Sequence, residues 1–266
     1  MGRVIPGLTM VALWVLLLFA ASATLFWLGI MLLAVIALHE YFRMTGRQGD
    51  SRLPAAALIT VALLPVGAAV LQRPAPVMAG LFLGLLGTIV VALVSHRRLD
   101  NVFDFISRAA FGVVYIGFCL AHLVLIRFLP QGVAWLFVLT AITAGGDTGA
   151  YYIGKAFGRR KLCPGISPNK TVAGALGGIS SGVLAALLAG HFLLPQVSLA
   201  VIGLAALGLS VIGILGDLAE SMIKRSEGIK DAGTILGGHG GVLDRIDSLL
   251  LTAPILFYLL SMGVLS

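Results

Sequence analysis

Charge is what this sequence has least of. Only 11% of its 266 residues are Asp, Glu, Lys or Arg, and 59% are hydrophobic, whereas a soluble domain carries about a quarter charged residues. That scarcity excludes an ordinary soluble fold. Cysteine is nearly absent as well. Cys119 lies in an apolar run and Cys163 in a basic loop, with no CxxC and no paired framework, so neither a disulfide nor a cysteine-held metal is expected. The short alternating segments of a transmembrane β-barrel are missing. So are an internal repeat, a low-complexity tract and any polar stretch long enough for a separate soluble domain.

What is present is a series of apolar runs near or above the roughly 18-residue length that spans a bilayer. Residues 5 to 42 exceed one span and break at Ala20-Ala21-Ser22-Ala23-Thr24. Further runs cover about 53–71, 76–94, 109–127, 133–154, 172–192, 197–220 and 247–265. The fold expected is all-α: a polytopic helical integral membrane protein of about nine transmembrane helices. Arg3 followed by an apolar run and Ala21-Ser22-Ala23 has the look of a secretory signal, but the next span follows at once, which favours a retained helix.

The net charge of +7 is topological rather than a sign of nucleic-acid binding. Arg43, Arg47, Arg52, Arg97, Arg98 and Arg108 fall on one side of a nine-span chain, together with Arg3, Lys155, Arg159, Arg160, Lys161, Lys170, Lys224, Arg225, Lys230 and Arg245. Only Arg73 and Arg127 fall on the other. Positive loops mark the cytoplasm, so the N-terminus is expected inside and the C-terminus outside.

The rare charges concentrate between Leu215 and Ser248, beside apolar runs where they are costly unless they face a polar cavity. Asp217, Glu220, Ser221 and Lys224 recur at i, i+3, i+4 and i+7, one face of a helix. A salt-bridged helix end, with Asp217 or Glu220 holding Lys224, is the plain alternative to a functional face. Asp244 and Asp247 make a second pair one turn apart, able to cap a helix N-terminus or to bind a cation with Asp217. Between them Gly237-Gly238-His239-Gly240-Gly241 offers close backbone approach to a phosphate, or merely a flexible turn. Ser167-Pro168-Asn169-Lys170-Thr171 is not a Walker A motif, although Lys170 suits a phosphate as a point charge. Asp147, inside the sixth span, needs a partner or a function. Weaker signals are His39 and Glu40 as an interface pair, His96, His122 and His191 as structural histidines, Asp100 and Asp104 in a solvated loop, and Trp14, Trp27 and Trp135 as anchors or packing residues.

Ser221 to Asp247, SMIKRSEGIKDAGTILGGHGGVLDRID, resembles the signature of the phosphatidate cytidylyltransferases (CDP-diacylglycerol synthases). That pattern is Ser-x-x-Lys-Arg, four residues, Lys-Asp, then His-Gly-Gly-x-x-Asp-Arg-x-Asp. Ser221, Lys224, Arg225, Lys230, Asp231, His239, Gly240, Gly241, Asp244, Arg245 and Asp247 occupy its fixed places. The likeness extends to Gly216-Asp217-Leu218, Glu220, Ser167 to Thr171, and Asp147 to Tyr151 with Gly154 and Gly158. Gly237 stands where members often have proline, and Ala173 where they often have an acidic residue. The first four spans match mainly in hydrophobicity and length, which suggests a division into N-terminal helices (1–106) and a catalytic region (107–266).

The resemblance implies CTP plus phosphatidate giving CDP-diacylglycerol and pyrophosphate, in the inner (plasma) membrane of a bacterium, with the site facing the cytoplasm. It implies Mg²⁺ on Asp217, Asp244 and Asp247, a second cation such as K⁺, and a homodimer. Catalytic roles fall to Asp217, Ser221, Lys224, Arg225, Lys230, Asp231, His239 and Arg245, and substrate contacts to Asn169, Lys170, Thr171, Gly240, Gly241, Asp147 and Glu220. The rival expectations are a CTP-dependent enzyme for another lipid phosphate and, from a different class, a nucleotide or ion transporter. A transporter would show paired broken helices in two related halves, and the single C-terminal cluster of charge counts against it. CDP-alcohol phosphotransferases are excluded by the missing Asp-Gly-x-x-Ala-Arg pattern.

Overall fold

The computed structural model describes residues 4–46, 55–233 and 240–265. Arg3, Arg47, Arg52, Gly237 and His239 lie outside the described residues. The chain is a helical integral membrane protein. Among the described residues, six helices are long and apolar enough to cross a membrane: Ala23–Thr45, Pro74–Arg98, Val102–Phe128, Gly132–Phe157, Val172–Leu193 and Leu199–Ser226. The chain gathers into two compact units, residues 1–128 with 231–245, and residues 129–230 with 246–266.

The first unit holds α1 (Val4–Phe19) and α2 (Ala23–Thr45), the latter capped by the Ser22 hydroxyl, which accepts the Leu25 amide at 3.2 Å. The run expected as a single third span is broken. It forms α3 (Ala55–Ala62), α4 (Leu64–Ala68) and a 3-10 turn at Ala69–Leu71. Pro65 explains the break: it lacks an N–H and is tolerated only in the first turn of a helix, so it opens α4 instead of continuing α3. After α5 (Pro74–Ser95) comes α6 (Val102–Gly112), which passes through a π-helical segment at Val113–Phe118 into α7 (Cys119–Phe128).

Asp104 therefore lies not in a loop but in the first turn of α6. There it receives Nε of Arg108 at 3.1 Å, while Asn101 caps the helix. Tyr41 of α2 donates its hydroxyl to the Arg108 carbonyl at 2.9 Å, tying α2 to α6. His122, buried in α7, hydrogen-bonds the Phe118 carbonyl through Nδ1 at 2.8 Å, a structural histidine as expected.

In the second unit, α8 (Gly132–Phe157) leads through a hairpin to α9 (Val172–Leu193) and α10 (Leu199–Ser226). The basic loop expected between the sixth and seventh spans is ordered into that hairpin. Strand β1 (Lys161–Cys163) pairs antiparallel with β2 (Ser167–Thr171), a local departure from an all-helical chain.

Helix α9 shows how a membrane helix packs. Its buried residues are Gly174, Gly177, Gly178, Gly182, Ala186 and Gly190, whereas Leu176, Leu184, Leu188 and Phe192 stand outward. Lipid tails are as apolar as leucine, so large side chains gain little by turning inward, and small ones let backbones approach for dispersion contact. Gly149 of α8 is one such point. A Cβ there would lie 2.1 Å from the Ser181 hydroxyl and 2.7 Å from the Gly177 carbonyl.

The last helix, α11 (Leu243–Ser261), starts four residues before the expected span and so takes Asp244 into its first turn.

Candidate functional site

The second unit encloses a cavity of about 600 Å³ lined by α8, the hairpin, α9, α10 and Ser248 of α11. Its apolar wall comes from residues such as Ile142, Leu209 and Ile214, and its polar wall from Asp147, Lys155, Asn169, Lys170 and Asp217. Four of the seven expected substrate contacts thus line one space, Asp147, Asn169, Lys170 and Thr171, together with the metal-ligand candidate Asp217.

Local sequence explains each placement. Thr171 ends β2 and caps α9, its hydroxyl accepting the Gly174 amide at 3.0 Å. The strand before it carries Lys170, half-buried, while Pro168 and Asn169 are exposed. Nζ of Lys170 lies 2.5 Å from Oδ2 of Asp217 on α10. By spacing alone, Lys224 suits either Asp217 or Glu220 as a partner. The structure gives Lys224 to Glu220, which is fully buried, and Lys170 to Asp217. The helix face expected from the i, i+3, i+4, i+7 spacing is shielded as a whole. Glu220 and Ser221 are buried, and Asp217 and Lys224 are half-buried.

Gly216 brings the second carboxylate in. A Cβ there would lie 2.7 Å from the Asp247 carbonyl oxygen, so only glycine permits α11 to run this close to α10. Asp247, half-buried, receives its neighbour Ser248's amide at 2.6 Å and feels the charges of Asp217, Asp147 and Lys170. Three carboxylates near one ammonium leave a local excess of negative charge. Arg225, exposed, braces this side of the unit. Its Nε donates to the Ile166 carbonyl in the hairpin turn at 3.2 Å, and a second nitrogen donates to the Ile229 carbonyl at 3.1 Å. Lys230 is exposed.

Asp244 belongs to the first unit. Its carboxylate accepts the Ala232 amide at 3.1 Å and the Gly241 amide at 2.7 Å, both of the chain before α11, so it braces that approach instead of capping the helix's own amides. Gly240 has φ +79°, and a Cβ there would meet Asp244 Oδ2 at 2.7 Å, so glycine is required twice over. Asp231 and Arg245 are exposed in the same unit.

Sequence reasoning gave no place at the site to four residues, of which Glu40 is read there only as an interface pair with His39. Glu40 is buried on α2 and accepts the Leu243 amide at 2.9 Å, and nothing local signals a partner 203 residues away. Ser210 lines the cavity with a buried hydroxyl that has no hydrogen-bond partner among the described residues. Tyr151 and Lys155 line it too, with Nζ 5.8 Å from the ring centroid. Their signal was present, since Asp147, Tyr151 and Lys155 repeat at i, i+4 and i+8, one stripe of a helix.

Whether these residues suit a divalent cation can be judged from the donors. Among the described residues no three His, Cys, Asp or Glu side chains are gathered closely enough to hold a metal by themselves. Carboxylate oxygens in surplus suit Mg²⁺, which binds through one or two carboxylates and takes its remaining oxygens from phosphates and water. The donor set therefore fits a metal that arrives with a polyphosphate rather than a closed protein cage.

Fold and site together define a membrane-embedded helical protein with a mainly apolar chamber that carries one ionic wall. The chain belongs to the cytidylyltransferase family, whose model matches residues 1–262. It is 44% identical over 185 residues to the phosphatidate cytidylyltransferase of Bacillus subtilis strain 168, covering 67% of this chain and 65% of that protein. It is 41% identical over 158 residues to the uncharacterized protein YnbB of Escherichia coli K12, covering 58% and 53%. With the phosphatidate cytidylyltransferase of Synechocystis sp. PCC 6803 it shares 30% identity over 261 residues, 86% of each chain. The match spans less than two thirds of the length of the first two relatives.

Proposed function

We propose that this chain transfers the cytidylyl group of CTP to phosphatidate, giving CDP-diacylglycerol and pyrophosphate. The observation that carries the reading is the cavity in which the Lys170–Asp217 ion pair adjoins apolar helix walls. A nucleotide phosphate needs the first and a lipid the second. Family membership and the names of two of the relatives above support the same assignment.

In the reaction a phosphatidate oxygen bonds to the α-phosphorus of CTP, the bond from that phosphorus to the bridging oxygen breaks, and pyrophosphate leaves with the electron pair. Phosphoryl-type transfer of this kind depends mainly on positioning and on neutralising charge. Lys170 neutralises triphosphate oxygens, and Asp217 in the resting site keeps its ammonium aimed at the cavity. Lys224, Lys230 and Arg245 add positive charge, and Arg225 holds the hairpin to the end of α10. Ser221, His239, Gly240 and Gly241 orient phosphates, and Asn169 and Thr171, which line the cavity, contact substrate, Thr171 also fixing the junction of strand and helix beside Lys170. The lipid phosphate is ionised near neutral pH, so no strong general base is required.

Asp217 and Asp247, with Asp244 one turn earlier on α11, are proposed to hold Mg²⁺, and a second cation such as K⁺ is proposed nearby. Bound there, the metal neutralises charge on the phosphate oxygens. The proposal also places the chain in the inner (plasma) membrane as a homodimer, N-terminus cytoplasmic, C-terminus outside, with CTP entering from the cytoplasm. The clustering of Lys and Arg in alternate loops supports that orientation.

The test is pyrophosphate release by purified protein with CTP, Mg²⁺ and a panel of lipid phosphates. Release that requires phosphatidate is the expected result. Release with a different lipid phosphate alone would reassign the substrate, and no release with any of them would overturn the enzymatic reading.

A further inference from the structure

Glu40 is a carboxylate that the reaction as described does not use, yet its side chain is 98% withdrawn from solvent, at 2% exposure. Taking a carboxylate out of water is expensive, and one backbone amide offsets only part of that cost. Oε2 receives the Leu243 amide at 2.9 Å, and Oε1 has no hydrogen-bond partner among the described residues. A pure packing role is better served by a neutral side chain.

What surrounds Glu40 is specific. A Cβ on Gly233 would lie 2.3 Å from Oε1, and one on Gly241 would lie 2.6 Å from Oε2. Both positions therefore accept only glycine while Glu40 is in place. Gly241 is shared with Asp244, which takes its amide at 2.7 Å and that of Ala232 at 3.1 Å. Two carboxylates, one from α2 and one from α11, thus hold the backbone amides of Ala232, Gly241 and Leu243 in a single clasp.

We propose that Glu40 is a positioning residue for nucleotide binding: by gripping the Leu243 amide between Gly233 and Gly241, it fixes the first turn of α11 and with it the orientation of Asp244. The proposal rests on the cytidylyltransferase reading for its ligand, CTP with a divalent cation. It concerns only how the protein holds its own backbone for that ligand.

The experiment compares wild type with Glu40→Ala, Glu40→Asp, Glu40→Gln and Glu40→Met. Mg²⁺–CTP binding is measured by equilibrium dialysis without lipid, amide hydrogen exchange is followed over the peptide containing Leu243, and thermal melting checks folding. Glu40→Ala and Glu40→Asp lose or withdraw the acceptor and are expected to weaken CTP binding about tenfold, the equivalent of one charge-assisted hydrogen bond, with faster exchange at Leu243. Glu40→Gln keeps an acceptor of the same reach and is expected to stay within about threefold of wild type, a rescue that a role for the charge itself does not predict, whereas Glu40→Met, which fills the same space without an acceptor, is expected to lose as much as Glu40→Ala. Should Glu40→Ala fail to fold, Glu40→Asp and Glu40→Gln carry the comparison. Faster exchange at Leu243 with unchanged CTP affinity would overturn the proposal, as would equal loss in Glu40→Gln and Glu40→Asp. Because no lipid is present, a wrong choice of lipid substrate leaves these outcomes untouched, whereas wild-type protein that binds no CTP would overturn both readings.

Discussion

Asp217, in the last third of α10, and Asp244, in the first turn of α11, are the same side chain, and the two compact units use them differently. In the unit of α8, α9 and α10, Asp217 faces a lysine side chain and an open cavity, with the charges of Asp147 and Asp247 felt at the same place. In the other unit, Asp244 faces backbone amides, and Glu40 does likewise from α2. A carboxylate answered by a mobile ammonium can exchange that partner for a metal-bound phosphate during a reaction. One answered by the amides of its own chain has its orientation fixed, and presents its remaining lone pairs in one direction. Fixed donors and exchangeable ones are both needed where charge must be stabilised without reorganisation.

Substitution separates the two roles. Asp217→Asn keeps size and removes charge, and is expected to lower kcat for pyrophosphate release by roughly 10²–10³-fold with unchanged melting and unchanged exchange at Gly241. Asp244→Asn is expected to lose activity and also to speed amide exchange at Ala232 and Gly241. If it loses activity with exchange unchanged, the distinction between the two carboxylates fails.

Next in size is Glu220→Gln, which leaves the Lys224 ammonium without its buried partner. Breaking such a pair costs about 3 kcal/mol, and a depressed melting temperature measures it. Gly216→Val forces α11 away from α10 at Asp247. It is expected to cost about 1–3 kcal/mol of stability and to reduce the turnover of whatever protein remains folded. Lys170→Ala is expected to raise the KM for CTP about tenfold, with Lys170→Arg recovering part of it, as initial rates will show. The smallest effect belongs to Thr171→Ala, which removes the α9 cap at a cost of about 1 kcal/mol, read from thermal melting.

Much of this was legible in the chain. The apolar runs located the helices, because length and composition decide that independently of neighbours. The helical spacing of Asp217, Glu220, Ser221 and Lys224 identified one shielded face, and the run from Ser221 to Asp247 carried the family. Pro65 was a signal for the broken third span, since a missing N–H is a local property.

Other features were not legible, for a physical reason. Lys170 chooses Asp217, and Leu243 chooses Glu40, through contacts that join segments far apart in the chain, and hydropathy holds no trace of them. The β1–β2 hairpin is short and polar, so neither helical nor strand periodicity develops within it. The π-helical segment at Val113–Phe118 is equally silent in an apolar run. That residues 231–245 pack with the N-terminal helices, while Asp247 belongs with α8 to α10, follows from packing and not from sequence order.

The central claim is that Asp217 and Asp247 together grip a metal-bound nucleotide. Electron paramagnetic resonance of Mn²⁺ titrated into purified protein with CTP tests it most directly, because the signal of free Mn²⁺ falls as the ion is captured. The account predicts CTP-dependent capture by the wild-type protein and its loss in both Asp217→Asn and Asp247→Asn. Capture of equal strength in those two variants would contradict it.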